Sequence, residues 1–247
     1  MSRGEQTELE TLRKVAERAV LRGGEVISSQ FGLPMRSLER KGPGDYVTAV
    51  DLESDEVIRD TLHREAPGIA VVSEELGGKA EETYWSVDPL DGTRNFSLGM
   101  PAVAVSVALI VERRPVVGAV SAPLLSLCFS AGRGLGAWSG AERLAVSARP
   151  NSQAILATGF PRRDRSDLPD YLAYFESVFL LAEDVRRTGS AALDLAWVAT
   201  GVFDGYFHLN LSEWDVAAGA LLIEEAGGAI TDWAGGPDYL RGDVLAG

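Results

Sequence analysis

Apolar residues near the start of the chain recur at helical spacing: Leu9, Leu12, Ala16, Ala19, Gly23, Val26 and Ile27. The spacing predicts one helix, capped by Thr7 and Glu10 as a capping box and stopped near Gly32-Leu33-Pro34. A short strand and the Gly/Pro loop KGPGD (residues 41–45) lead to a second helix over about 49–64, closed by Pro67-Gly68. Strands follow near 69–73 and 84–88. The run AVAVSVALIV (102–111) reads as a buried strand, and 115–121, 125–131 and 143–147 as further strands joined by Gly-rich turns. From Ile155 the pattern alternates, with helices over about 168–182, 190–200 and 215–226 and strands between them, including 203–209 and 228–232. This order predicts an α+β first half (1–150) and an α/β second half (151–247). A soft boundary falls near Arg149-Pro150-Asn151, and the halves pack as one functional unit.

Composition removes several alternatives. With 247 residues, 46% hydrophobic and 24% charged, the chain has the ordinary globular mix and buries roughly 70% of its unfolded surface. Disordered and collagen-like readings are excluded. A single cysteine, Cys128, excludes an intramolecular disulfide framework and a cysteine zinc cluster, and two histidines, His63 and His208, exclude a three-histidine metal site. A net charge of −13 repels nucleic acid and anionic membranes at long range, so neither is expected as a partner. The N-terminus, MSRGEQTELETLRK, is too polar for a secretory signal. The longest uncharged stretch, residues 115–132, is broken by Pro115, Gly118 and Pro123 and reads as two strands with a turn. A soluble cytoplasmic protein is the expectation. The chain ends at GDVLAG directly after a strand-like segment, and a longer natural tail is expected there.

Four acidic segments carry the candidate chemistry. In WSVDPLDGTRNF (85–96), Asp88-Pro89-Leu90-Asp91 fits a type I turn, which would bring two carboxylates and the Leu90 carbonyl towards one point. Gly92 permits close backbone approach, and Thr93 can open a short helix whose free N–H groups face an anion. In VVSEEL (71–76), Glu74 and Glu75 follow an apolar strand. In DYVTAVD (45–51), Thr48 and Asp51 can cap the next helix. In EWDVAAGALLIEEAGG (213–228), Asp215 can serve as a helix N-cap, and Gly227-Gly228 as the stop. Alone, each has an ordinary reading as a turn, loop or cap.

Together, in this order and spacing, DPLDGTRNF and WDVAAGALLIEEAGG with an upstream SEE resemble the inositol monophosphatase family of magnesium-dependent sugar-phosphate phosphatases. The resemblance runs from the first helix to the last strand. It implies a layered αβαβα sandwich of the carbohydrate-phosphatase type. Glu74, Asp88, Asp91 and Asp215 match the family's metal-binding carboxylates, and Leu90 its carbonyl ligand. Asp88 looks like the bridging ligand, and Asp91 and Asp215 match ligands of the ion nearest the leaving group. Thr93 and Asp51 match the pair that orients the attacking water. Lys41 matches a lysine at the site entrance, on a loop one residue shorter here. Gly189-Ser190-Ala191 match a substrate-contacting turn, and Asp91, Gly92, Thr93, His208 and Asp215 are the other expected substrate-binding residues beside Lys41.

The implied reaction is hydrolysis of a small phosphomonoester by in-line attack of a metal-activated water, without a phosphoenzyme. The implied cofactor is two or three Mg²⁺ ions, with Mn²⁺ as an alternative, and the implied assembly is a homodimer. Electrostatics agrees: two carboxylates about 4 Å apart repel by roughly 4 kcal/mol at an effective dielectric of 20, and a divalent cation removes that cost. All-oxygen ligands suit Mg²⁺ or Mn²⁺ better than zinc.

One position departs from the family pattern. Seven residues before Asp215, where many members carry a substrate-contacting Glu, this chain has His208. A neutral imidazole makes hydrogen bonds but lacks a carboxylate's charge. Inositol 1-phosphate is the default substrate, with fructose 1,6-bisphosphate or a broad sugar-phosphate or histidinol-phosphate range as alternatives. From another class, a non-catalytic metal-binding interaction protein on the same fold is the rival. GRGLGA (132–137) lacks the dinucleotide spacing G-x-G-x-x-G and reads as a turn. The basic run PRRDRS (161–166) reads as a solvated loop that can assist a second phosphate or a partner.

Overall fold

The computed structural model describes residues 2–33, 38–42, 45–161 and 166–247, excepting the side chains of Lys41 and Asp45. Most of PRRDRS and the centre of the KGPGD loop therefore lie outside the described residues. The elements in order are α1 (Arg3–Gln30), β1 (Leu38–Gly42), β2 (Asp45–Thr48), α2 (Ala49–Glu65), β3 (Ala70–Ser73), β4 (Thr83–Asp91), α3 (Thr93–Ser97), β5 (Ala104–Val111), β6 (Arg114–Ala122), β7 (Leu127–Gly132), β8 (Gly136–Ser139) and β9 (Glu142–Arg143). The second half adds β10 (Ile155–Thr158), α4 (Leu168–Phe179), β11 (Asp184–Arg186), α5 (Ala191–Ala199), β12 (Gly205–His208), α6 (Glu213–Glu225), β13 (Ile230–Thr231) and β14 (Val244–Ala246).

A seven-stranded sheet runs β3 to β9 in sequence order, antiparallel except for the parallel pair β3–β4. A five-stranded sheet has the order β11-β10-β12-β14-β13. Alternation along the strands sorts side chains between layers. Trp85, Val87, Val105, Val107 and Leu109 pack with Val15, Ala19, Ile58 and Leu62 of α1 and α2. Tyr84, Ala104, Ala108 and Ile110 face Leu193, Val216 and Leu221 of α5 and α6. On β12, Tyr206 joins that same core while Phe207 stacks on Tyr171 of α4 at 6.1 Å. The result is helices, sheet, helices, sheet, helix: the layered αβαβα arrangement the family resemblance implies. Among the described residues, no helix is long and apolar enough to cross a membrane.

Several local expectations are corrected. The α1 capping box is Ser2 with Glu5, a full turn before Thr7, whose hydroxyl instead donates to the Arg3 carbonyl. The helix is amphipathic only from Leu9 onward, so its polar first turn leaves no hydrophobic signature. The 143–147 strand shrinks to Glu142–Arg143. The α4 helix ends at Phe179, before Leu180 and Leu181. Residues 244–246, unassigned from sequence, form β14 and insert between β12 and β13.

The close approach of α6 to the large sheet depends on Gly118 of β6. A Cβ there would lie 2.9 Å from the Ala218 carbonyl oxygen and 3.0 Å from its Cα. Those atoms are helix backbone and cannot rotate away. Gly118→Ala is expected to destabilise the protein by about 1–3 kcal/mol, the usual cost of overpacking. A urea titration should show a lower midpoint at unchanged slope.

Candidate active site

The expected turn at Asp88–Asp91 is not a turn. The chain does not reverse but continues to pair with β5, and the segment is a bulged end of β4. Asp88 pairs with Ser106 and Asp91 with Ala104, so β4 advances three residues while β5 advances two. Pro89 has no N–H to donate, which a bulge tolerates and a regular central strand does not. The Leu90 N–H instead donates to Asp88 Oδ1 at 3.0 Å. In a regular strand, residues three apart point to opposite faces. The bulge cancels that alternation, and both aspartates face α5 and α6. Leu90, between them, packs into the α1/α2 core.

The third carboxylate comes from α6. Ser212 caps this helix, and Asp215 is its third residue, accepting the Ser212 N–H at Oδ2 (2.7 Å). The sequence expectation of Asp215 as the cap is thus displaced by three residues. Ser106 Oγ donates to the Trp214 carbonyl at 3.0 Å, and the Tyr84 hydroxyl lies 2.9 Å from both carboxylate oxygens of Glu213. These contacts tie the first turn of α6 to β4 and β5. As a result, Asp88, Asp91 and Asp215, all buried, offer oxygens within 4.8 Å of one another.

Glu74 is outside this trio but close enough for its charge to act on Asp88. Burial first, then the charges of Glu74, Asp91 and Asp215, push the Asp88 carboxyl well above its ordinary range. An oxygen-only donor set that cannot stay ionised unaided is what a hard divalent cation fits.

Asp51 and Thr93 meet beside the trio. Thr48 caps α2, and its N–H and Oγ1 donate to Asp51 Oδ2 at 2.9 and 2.5 Å. Thr93 Oγ1 lies 2.8 Å from Asp51 Oδ1 and 3.1 Å from the Leu90 carbonyl oxygen. Burial raises the Asp51 carboxyl despite the bonds from Thr48 and Thr93. Gly92, at φ 94°, caps the short helix α3, and a Cβ there would lie 3.0 Å from the Ala102 carbonyl oxygen.

Asp91 and Asp215 line a cleft whose other walls include Arg187, Ser190, Asp194, Tyr206 and His208. Gly189 and Ala191 also line it. Asp91 Oδ2 accepts Ser190 Oγ–H and the Ala192 N–H, both at 2.7 Å, which anchors the N-terminus of α5 to the bulge. Gly189 has φ 98°, a conformation that favours glycine. The His208 ring sits against Gly159, where a Cβ would collide with it. Its Nδ1 lies 2.8 Å from the Tyr206 hydroxyl. Burial and the Asp194 charge push the Tyr206 phenol well above its ordinary value. His208 Nε2 lies 3.4 Å from the Phe160 carbonyl oxygen, which can only accept, so a neutral His208 carries its proton on Nε2 and takes the Tyr206 O–H at Nδ1.

All the sequence candidates whose side chains are described fall in this region; the Lys41 side chain lies outside the described residues. Sequence reasoning missed Arg187, Asp194 and Tyr206. Asp194 had a readable signal, being the sole charge in the apolar run AALDLAWVA of α5. Burial, with a contribution from the Asp91 charge, raises it well above the usual carboxylate range, against the bond from Thr188 Oγ1 (2.6 Å). Arg187 and Tyr206 carry no such mark.

Raised carboxyls make stability depend on pH with a defined sign. Folded Asp88 holds a proton that the unfolded chain releases above about pH 3.8, so its contribution to stability falls as pH rises from there through the raised folded value. In EDTA, Asp88→Asn is expected to stabilise the protein at pH 8 by roughly 1–3 kcal/mol, the scale of an uncompensated buried polar group. The gain should shrink at pH 5. The rise in Tm on adding Mg²⁺ should be larger at pH 8 than at pH 5 for the unaltered chain and small for the variant. Thermal melts at both pH values check this.

Comparison with known proteins extends the likeness to whole chains. The inositol monophosphatase family model matches residues 8–247. A protein of Escherichia coli named Nus factor SuhB is 41% identical over 239 residues, covering 94% of this chain and 90% of that one. A protein of Aquifex aeolicus named fructose-1,6-bisphosphatase/inositol-1-monophosphatase is 39% identical over 246 residues, covering 97% and 92%. The solved structure of an inositol monophosphatase from Anabaena superposes with a TM-score of 0.86 at 36% identity, covering 97% of this chain and 91% of that one. With this fold and this acidic cleft, the chain belongs to the inositol monophosphatase family.

Proposed function

We propose that the chain is a Mg²⁺-dependent phosphatase acting on a small phosphomonoester, with inositol 1-phosphate as the first candidate substrate. The observation that carries this reading is the meeting of Asp88, Asp91 and Asp215 within 4.8 Å, beside the Thr93–Asp51 hydrogen bond. Glu74 and the Leu90 carbonyl complete the proposed ligand set for two or three ions, with Mn²⁺ as a substitute. When bound, such cations neutralise the carboxylates and supply Lewis-acid charge to the phosphoryl group and the attacking water.

The chain's own residues do the rest. Thr93 Oγ1–H donates a hydrogen bond to Asp51 Oδ1 (2.8 Å), which leaves its lone pairs to accept a hydrogen bond from the attacking water and aim it at phosphorus. As the water attacks, its proton passes to Thr93 Oγ1 while the Thr93 hydroxyl proton moves to Asp51, whose carboxyl, raised by burial, is the better base. The N-terminal end of α5 at Gly189-Ser190-Ala191, with its positive dipole end, favours the phosphate's negative charge. Arg187, in the cleft lining, adds a cation. His208 lines the same cleft and places an imidazole where the resemblance implies a carboxylate. That favours a sugar-phosphate range wider than inositol 1-phosphate alone, and the double name of the Aquifex relative points the same way. Residues 1–150 and 151–247 act as one unit in this reading, since Asp215 of the second completes the site of the first.

A second reading has one observation in its favour: relatives at 41% identity are named Nus factor. A protein-binding role on this fold, with or without catalysis, follows from that name by analogy. A cytoplasmic location suits either reading. The homodimer is supported by Leu172, Phe179, Leu180 and Leu181, large apolar side chains left exposed on and just after α4. Leu180→Glu with Leu181→Glu is expected to give a monomer by light scattering; an unchanged mass would place the interface elsewhere.

Phosphate release from a panel of monoesters, with Mg²⁺ and with EDTA, separates catalysis from binding alone. Mg²⁺-dependent release is expected, with no phosphoprotein trapped from labelled substrate. Asp88→Asn is expected to abolish turnover, and Thr93→Ala to lower kcat by about 10²–10⁴-fold, the range of a general-base contribution. Full activity in Asp88→Asn would overturn the reading.

A further inference from the structure

The side chain of Asp55 on α2 is fully buried, yet it touches none of the proposed ligands. Its Oδ1 accepts Arg59 Nε–H at 3.0 Å. Its Oδ2 accepts Ser73 Oγ–H at 2.5 Å and the Leu76 N–H at 3.0 Å. Arg59 Nη2 donates to Ser73 Oγ at 2.7 Å and to the Gly77 carbonyl. Each donor and acceptor in this ring has a chemically consistent partner.

All the loop groups it holds belong to the segment that carries Glu74. Residues 73–77 close on themselves, since Ser73 and Gly77 exchange N–H···O bonds at 3.1 Å each. The Glu74 N–H donates to the Val87 carbonyl at 3.1 Å, one residue before Asp88. Gly78 follows at φ 141°, where a Cβ would overlap the Val71 carbonyl oxygen. None of these bonds uses the Glu74 carboxylate. The clamp therefore fixes the backbone from which Glu74 reaches Asp88 without occupying its oxygens.

The same face of α2 reaches two other parts of the site. Asp51 receives Thr93, and Ser54 Oγ donates to the Pro89 carbonyl inside the bulge at 2.8 Å. We propose that Asp55 and Arg59 are positioning residues for cation binding: they clamp the 73–77 loop so that Glu74 is held in register with Asp88. This rests on reading the carboxylate cluster as a divalent-cation site. Like-charged carboxylates move apart unless the backbone holds them, so a loosened loop gives up Glu74 first.

The test is Mg²⁺ binding to the intact protein by titration calorimetry, alongside the Mg²⁺ concentration giving half-maximal phosphate release. Arg59→Met keeps bulk on a partly exposed side chain and is the main variant. Asp55→Asn is the second, and Arg59→Lys tests rescue. Arg59→Met and Asp55→Asn are expected to weaken Mg²⁺ binding about 10-fold or more, the usual scale for partners behind metal ligands. At saturating Mg²⁺ the substrate KM should stay within about twofold. Arg59→Lys should recover part of the loss.

Glu74→Gln decides the route. If the clamp acts through Glu74, adding Arg59→Met to Glu74→Gln costs little more than Glu74→Gln alone. Fully additive losses, or unchanged Mg²⁺ affinity in folded Arg59→Met, would overturn the inference while leaving the phosphatase reading intact. Absence of Mg²⁺ binding by the unaltered protein would overturn both.

Discussion

The site depends on a single extra residue in β4. Without the bulge, Asp88 and Asp91 would point to opposite faces of the large sheet, one into the α1/α2 core and one towards α6. A carboxylate in that apolar core would be unsolvated and without a cation partner. With the bulge, both face the layer that supplies Asp215, and Leu90 fills the core position instead. Pro89 and the bond from the Leu90 N–H to Asp88 hold the irregularity in place.

Everything around the bulge restrains it from a different side. Above it, Asp91 ties to the first turn of α5 through Ser190 and Ala192. The first turn of α6 is tied to β4 and β5 through Tyr84 and Ser106. Below it, α2 contacts Thr93, Pro89 and the 73–77 loop from three successive positions on one face. The bonds seen at the acids run from hydroxyls and backbone N–H groups: Ser190 and Ala192 to Asp91, Ser212 to Asp215, and Leu90 to Asp88.

Capping links the sequence to this arrangement at two points. Asp51 and Asp215 both sit at the third position of a helix and both accept the N–H of the capping residue. A carboxylate there stabilises the helix N-terminus with one oxygen and keeps the other for chemistry. The ordinary reading of these residues as helix caps and the functional reading are therefore compatible, although the caps themselves are Thr48 and Ser212. At α1 the same logic failed in the sequence because the capping turn precedes the first apolar residue.

The amino-acid sequence determined the layers, through the change from helical to alternating apolar spacing, and it marked the acidic segments by their order. Asp88, Asp91, Asp215, Glu74, Asp51 and Thr93 were all legible because local motifs carry them. The direction in which those carboxylates point was decided only by tertiary structure. Turn propensity in Asp-Pro-Leu-Asp cannot reveal that β5 continues to pair beyond it, since pairing is a property of two strands. The same limit hid β14, which exists only because β12 and β13 leave a place between them, and Arg187 and Tyr206, which become cleft residues only when α5 and β12 close around the bulge. Local energies set which elements form; contacts between residues far apart in the chain set which of their faces meet.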